Sequence, residues 1–270
     1  MLPASCSHQM IGIIGGGHLG RALALALLDQ GLPRDHLMVS HAGSPATQEE
    51  LIRAGLRGNI ADNAALCGKA DILFLAVRPQ SVHSLRGLPV REKTLVVSCM
   101  AGVPAEVLGR VLGVPVVRMM SSGPETLSGH NGIVAVYPPT PLLAGILKGI
   151  GQEVHAMPDE TLMNVFTAGV CLPAILLYSR IHHRDPDAEI RPVIHEFPLM
   201  GALYAWGVKA VPRDLSDMEA EAYIARMSTK GGVTEAIITG MAKGEPLDAA
   251  FRAGIARCVA IGDEVGGKIR

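Results

Sequence analysis

Short apolar runs recur through the first part of the chain, separated by stretches in which apolar residues return every three or four positions. Ile11–Ile14, "HLMVS" (36–40), "DILFLAV" (71–77), "TLVVSCMAG" (94–102) and "VPVVRMM" (114–120) read as strands. Two weaker runs follow, "GIVAVYP" (132–138) and "GQEVHAM" (151–157). Several of these runs are apolar at consecutive positions instead of alternating, which predicts strands buried on both faces, as in a parallel sheet. Helical spacing fills the intervals: the Ala/Leu-rich stretch to residue 28, "TQEELIRAGL", "ADNAALCGKA" and the segment near 140–150. Strands separated by helices imply βαβ units with right-handed crossovers, hence a doubly wound sheet. From residue 158 the texture changes to helix alone, with breaks at "RDPD" (184–187), "GVKAVPRD" (207–214), "TKGG" (229–232) and "KGEP" (243–246). Four or five helices are expected there. The apolar stretch Leu162 to Tyr178 carries Asn164, Thr167, Gly169 and Pro173. It falls short of the roughly 20 clean apolar residues of a membrane span and reads as a buried helix pair at a subunit contact.

The first strand opens into a specific chemistry. "IGIIGGGHLGRALALALL" places Gly15-x-Gly17-x-x-Gly20 between a strand and a helix, the spacing of a dinucleotide fingerprint. Gly15 allows the sharp turn, Gly17 lets the backbone approach a pyrophosphate, and Gly20 lets the helix pack close to the sheet. Unpaired N–H groups at the helix start attract the anion. The pattern therefore predicts a Rossmann-type doubly wound parallel sheet over residues 1–157, followed by an all-helical C-terminal dimerisation domain over 158–270. NAD-binding fingerprints usually carry a carboxylate at the end of the second strand for the ribose 2′-hydroxyl. Here that stretch is "VSHAGSPA" (39–46), with Ser40, His41 and Ser44 and no acid. A 2′-phosphate is tolerated there, so NADP(H) is favoured and NAD(H) remains open. Ligands of open α/β sheets sit beyond the carboxyl ends of the strands, which directs attention to "FLAVRPQ" and "VVSCMAG".

Composition narrows the class. Hydrophobic residues make up 49% of the 270 and charged residues 18%, so a chain with few charges to cover its surface is expected to hide apolar area against a second copy. The net charge of −1 and the 3% aromatic content suggest neither a polyphosphate-binding surface nor base-stacking platforms, so no nucleic acid is expected. Cys6, Cys67, Cys99, Cys171 and Cys258 show no paired spacing and read as reduced thiols in a cytoplasmic protein without a membrane anchor. The opening "MLPASCSHQM" lacks a secretory pattern and reads as a short tail. His182-His183 are adjacent, so they do not share a helix face and predict a solvated helix end, with no metal site. The ending "GDEVGGKIR" reads as a frayed terminus.

"IGIIGGGHLG", "DILFLAVRPQ", "LVVSCMAGV", "VVRMM" and "MSTKGGVTEAI" occur in the order and spacing found in pyrroline-5-carboxylate reductases, and the chain resembles that family as a divergent member. The resemblance covers the first 120 residues and the "GGVTEAI" segment. It implies NADPH-dependent reduction of a small cyclic imino acid, pyrroline-5-carboxylate to proline, by a homodimer or larger assembly whose site forms where subunits interlock. Carried over by position, Gly15, Gly17, His18 and Leu19 line the pyrophosphate, Ser40 and His41 the adenosine ribose, and Asn63 the adenine side. Ala76, Val77, Arg78 and Pro79, with Cys99, Met100 and Ala101, border the ribose and nicotinamide. Gly231, Gly232 and Val233 offer N–H groups to a substrate carboxylate, and Thr234 sets a hydroxyl, the catalytic group, beside the ring nitrogen.

Independently, "STKGG" reads as a turn and "VTEAIITGM" as the start of a helix, whose unpaired N–H groups stabilise a bound carboxylate. The alternative for Thr234 is a hydroxyl satisfying its own helix start. The family's M-P-N segment is replaced by Met120, Ser121 and Ser122, its fingerprint asparagine by His18, and its S-G-S-G-P-A segment survives only dimly in "TAGVCLPA" (167–174). Two other readings stay open. One is a β-hydroxyacid dehydrogenase-like oxidoreductase, for which Lys209 in "YAWGVKAV" is the available acid–base, against its reading as a solvated helix cap. The other is an NADP(H)-binding protein without turnover.

Overall fold

The computed structural model describes residues 2, 3 and 8–269; Cys6 and most of the opening tail lie outside the described residues. The chain forms two compact units, Met1–Glu160 with Asp263–Arg270, and Thr161–Gly262.

The first unit runs β1 (Ile11–Ile14), α1 (His18–Asp29), β2 (Leu37–Ser40), α2 (Pro45–Arg53), α3 (Asn63–Lys69), β3 (Ile72–Leu75) and β4 (Leu95–Ser98). It continues through α4 (Ala105–Leu112), β5 (Val116–Ser121), α5 (Pro124–Ser128), β6 (Ile133–Tyr137), α6 (Pro141–Gly149) and β7 (Glu153–Ala156). The seven strands lie in the order β2-β1-β3-β4-β5-β6-β7. Ile14 pairs with both Ser40 and Leu75, and Leu75 with Ser98, so the carboxyl ends of four strands fall in one row. Alternate residues serve two cores. Ile11, Ile13, Phe74 and Val97 pack with Leu23 and Leu27 of α1. Ile14, Leu73, Leu75 and Val96 pack with Leu66 of α3 and Leu108 of α4. Helices on both faces explain why these strands read as unbroken apolar runs.

The sheet departs from the parallel expectation at one place: β5 and β6 are antiparallel, while β6 and β7 are parallel to each other. A parallel crossover needs about a dozen residues or more, usually with a full helix, and the segment between β5 and β6 holds only the five-residue α5. The chain turns back instead. Ser122 fixes the turn: its N–H donates to the Ile133 carbonyl at 3.0 Å, and its Oγ accepts the Ile133 N–H at 3.1 Å.

Seven helices follow among the described residues, more than the breaks in the sequence suggested: α7 (Leu162–Gly169), α8 (Leu172–Ile181), α9 (Pro186–Glu196), α10 (Leu199–Ala210), α11 (Asp217–Met227), α12 (Val233–Ala242) and α13 (Leu247–Ile269). The additional breaks are proline effects. Pro173 in the first turn of α8 carries no N–H to continue α7, and the two helices bend by 43°. Pro198 ends α9 and caps α10 in the same way. No single helix among the described residues is long and apolar enough to cross a membrane. Ala174 and Leu177 of α8 pack against Ala220 and Ile224 of α11. Arg184 pins the loop before α9, donating twice to Glu189 at 2.9 and 2.6 Å and to the carbonyls of Met241 and Glu245 at 3.2 and 2.9 Å. His182 and His183 are exposed at the end of α8. The C-terminal segment read as frayed is helical through Ile269.

Candidate functional site: the strand-end cavity and the start of α12

The three fingerprint glycines each meet a different constraint. Gly15 sits at φ +104°, and a Cβ there would lie 2.6 Å from the Ala76 carbonyl oxygen. A Cβ on Gly20 would lie 2.0 Å from the Gly15 carbonyl oxygen, which is the close helix–strand approach the spacing predicts. A Cβ on Gly17 would meet nothing within 4 Å, so the space beside it is open to a ligand. Gly17 caps α1, and helix geometry leaves the N–H groups of His18, Leu19 and Gly20 without intrahelical acceptors.

Beyond the row of strand ends lies a cavity of about 390 Å3. Its wall includes Gly15 and Gly17 from the fingerprint, Ser40 and His41 after β2, Asn63 at the start of α3, and Ala76, Val77 and Arg78 after β3. These eight expected residues meet in one place because register aligns Ile14, Ser40 and Leu75. Ser40 is 2% exposed, and its buried hydroxyl has no hydrogen-bond partner among the described residues. A buried polar group is normally satisfied, so an orphan hydroxyl in a cavity wall fits a polar ligand. The Ser40 carbonyl is used differently, accepting the N–H groups of Gly15 and Gly16 at 3.2 and 2.6 Å. His41 Nδ1 accepts the Gly43 N–H at 3.1 Å, and Ser44 caps α2 by accepting the Thr47 N–H.

Six expected cofactor residues do not line this cavity. His18 is exposed, and the Leu19 side chain packs on the core, leaving its backbone N–H as its contribution. Pro79 starts a 3-10 turn over Pro79–Leu85. Cys99 and Met100 are buried behind β4, and Ala101 is half-buried. Burial pushes the Cys99 thiol up to about 12, so it carries its proton. Conversely, Ser81, His83 and Ser84 of the 3-10 turn line the cavity unanticipated; the hydroxyl residues following Arg78-Pro79 were their only sequence signal. At the position of the resemblance's missing asparagine, Ser122 is committed to the β5–β6 turn. The motif arginine, Arg118, is buried and pairs with Glu160 at 3.0 Å.

In the helical unit, the start of α12 corrects one expectation. The amides of Gly231 and Gly232 are not unpaired. Gly231 N–H donates to the Glu235 carboxylate at 2.6 Å and Gly232 N–H to the Thr229 carbonyl at 2.8 Å. Helix geometry leaves the N–H groups of Val233 and Thr234 in the first turn without intrahelical acceptors. Gly231 and Gly232 border a second cavity of about 310 Å3 that also contains Glu235, Glu245, Lys243 and Arg257, whereas Val233 is buried. Thr234 does not satisfy its own helix: its Oγ1 donates to Cys171 Sγ at 3.2 Å. Lys209 is exposed in the last turn of α10. The described cysteines Cys67, Cys99, Cys171 and Cys258 are buried, and the Cys258 thiol donates to the Asn164 carbonyl at 3.8 Å.

Residues 10–102 match the family model of NADP oxidoreductases, coenzyme F420-dependent. The pyrroline-5-carboxylate reductase of Methanosarcina acetivorans is 33% identical over 171 residues, which span 59% of this chain and 62% of the relative. That of Haemophilus influenzae is 27% identical over 60% of this chain and 62% of its own length. The match thus covers less than two thirds of the relatives. The crystal structure of Plasmodium falciparum pyrroline carboxylate reductase with NADP bound superimposes with a TM-score of 0.59 at 16% identity, covering 95% of this chain and 99% of that one. At that identity the superposition shows the fold alone. The two sequence matches agree with the resemblance read from the motifs.

Proposed function

We propose that this chain is an NAD(P)H-dependent reductase acting on the C=N bond of a small cyclic imino acid, with pyrroline-5-carboxylate reduced to proline as first candidate. The observation that carries the cofactor half is the strand-end cavity, where an open space at Gly17 and an orphan hydroxyl at Ser40 adjoin the start of α1. The first-turn N–H groups of α1 hold a pyrophosphate. Ser40, His41 and Ser44 surround the adenosine ribose without a carboxylate to repel a 2′-phosphate, which favours NADP(H) over NAD(H). Bound there, the nicotinamide supplies the hydride.

For the substrate, the first-turn N–H groups of Val233 and Thr234 hold the carboxylate, and an acid seated against the Gly231 amide displaces Glu235 from it. The Thr234 hydroxyl orients the ring nitrogen. The alternative hydroxyacid chemistry calls for a sheltered lysine, and the exposure of Lys209 gives it no support. The low share of charged residues accords with a homodimer, for which light scattering at micromolar concentration is the check.

The deciding assay follows loss of nicotinamide absorbance in NADPH with pyrroline-5-carboxylate. Thr234→Ala is expected to cut turnover by about tenfold or more, the scale of a positioned catalytic hydroxyl, while Lys209→Ala stays near the parent rate. Tight NADPH binding without consumption of any imine would turn the reading to a non-catalytic nucleotide binder. Oxidation of a hydroxyacid with NADP+ that depends on Lys209 would turn it to the dehydrogenase.

A further inference from the structure

Thr234 of α12 and Cys171, which precedes α8, lie 63 positions apart in sequence, and their side chains meet at 3.2 Å. The contact has a direction. Cys171 Sγ donates to the Thr167 carbonyl at 3.4 Å, and Thr167 Oγ1 in turn donates to the Met163 carbonyl at 2.6 Å. With its own hydrogen spent on a carbonyl, the sulfur can only accept from Thr234. Burial pushes the Cys171 thiol up to about 11, so it remains a thiol at neutral pH. The Thr234 hydrogen therefore points inward to sulfur, and the oxygen lone pairs face away from it. Cys171 can hold this arrangement because it sits at the Pro173-induced break between α7 and α8, where its Sγ reaches back to the last turn of α7.

We propose that Cys171 is a positioning residue for Thr234, fixing the threonine hydroxyl as a hydrogen-bond acceptor toward the substrate nitrogen. This rests on the reading of Thr234 given above. An acceptor oxygen receives an N–H and so selects a ring nitrogen that already carries a proton: the iminium form of the substrate and the ammonium form of the product. Thr234 then orients the nitrogen without delivering its proton, and the proton comes from the substrate's own prior equilibrium with water. A serine at 171 preserves the polarity, since a hydroxyl also donates to one neighbour and accepts from another. An alanine releases the Thr234 hydrogen, which is then free to point at the ligand.

The test compares Cys171→Ala and Cys171→Ser in the full chain, with two readouts. In turnover with NADPH and pyrroline-5-carboxylate, Cys171→Ala is expected to lower kcat by about fivefold to tenfold, the worth of one neutral hydrogen bond, with a smaller change in KM. Cys171→Ser is expected to return kcat to within about twofold of the parent. In direct binding, the parent is expected to prefer proline over the same ring acid with oxygen in place of nitrogen. Cys171→Ala should lose that preference by about fivefold, because a freed hydroxyl can donate to the ring oxygen. Binding does not depend on turnover, so the two readings fail separately. A parent that binds with the expected preference but consumes no NADPH sinks the reductase and leaves the Cys171 role standing. A parent that turns over while Cys171→Ala changes neither kcat nor ligand preference sinks the Cys171 role alone. A parent that binds neither acid sinks both. If the alanine variant unfolds, Thr234→Val, which removes the other end of the contact, must erase the same preference, and an unchanged preference overturns the proposal.

Discussion

At the scale of single residues, the fingerprint separates a packing glycine from one that faces open space. Gly20 lies against the Gly15 carbonyl and tolerates no side chain, whereas a methyl group on Gly17 projects into open space. Gly17→Ala is therefore expected to cost less than about 1 kcal/mol of stability, the scale of an N-cap change. On the proposed placement of the pyrophosphate, the same methyl group blocks its path, so NADPH affinity should fall by about tenfold or more. Titration calorimetry set beside a denaturant melt reads both quantities, and an unchanged affinity would remove the nucleotide from this end of the sheet. The turn at Gly15 and the close packing at Gly20 were legible from the spacing together with the strand and helix that flank it. Ser81, His83 and Ser84 were not legible, because their place on the cavity wall is set by the path of a 3-10 turn that leaves no periodic mark. The engagement of Gly231 by Glu235 was equally hidden: an acid four residues after a glycine looks like any first-turn helix acid.

At the scale of elements, two charged side chains hold segment ends in place. Arg184 ties the loop before α9 to Glu189 and to two carbonyls at the end of α12 and beyond it. Arg184→Met leaves those acceptors without their donor and should destabilise the helical unit by about 1.5–3 kcal/mol, measured by urea unfolding. Asp71, just before β3, accepts the Met10 N–H at 2.9 Å and the Arg91 guanidinium at 2.7 Å. The Met10 N–H foremost, and Arg91 after it, hold its carboxyl below the usual carboxylate range. Its folded pKa is lower than its unfolded one, so its contribution is complete above the ordinary aspartate value and is lost as pH falls through the folded value. Melting temperature should drop on acidification into that window, and Asp71→Asn should flatten part of the drop; a parallel pair of curves would contradict this. The strands themselves were legible as apolar runs, yet the helix count was not. Pro173 divides a stretch whose apolar character is continuous, so hydrophobicity alone does not mark the division, whereas at Pro198 the polar His195 and Glu196 precede the break.

For the whole molecule, the parallel arrangement was readable up to β5, and the reversal at β6 was not. Apolar runs report burial, and a strand buried on both faces looks alike in either direction. What decides direction is the length of the connection, and α5 is too short to carry the chain back across the sheet. The reversal places the carboxyl end of β6 beside the beginning of β5, since Tyr137 pairs with Arg118. The turn at 138–140, with Pro138 and Pro139 exposed, thus belongs to the rim opposite the one where the nucleotide is proposed to lie. That makes it a permissive port: a short flexible peptide or a fluorescent tag spliced in after Pro139 should leave NADPH titration curves superimposable on those of the parent. The same tag spliced beside Gly43, on the rim proposed for the nucleotide, should abolish the signal it was meant to report.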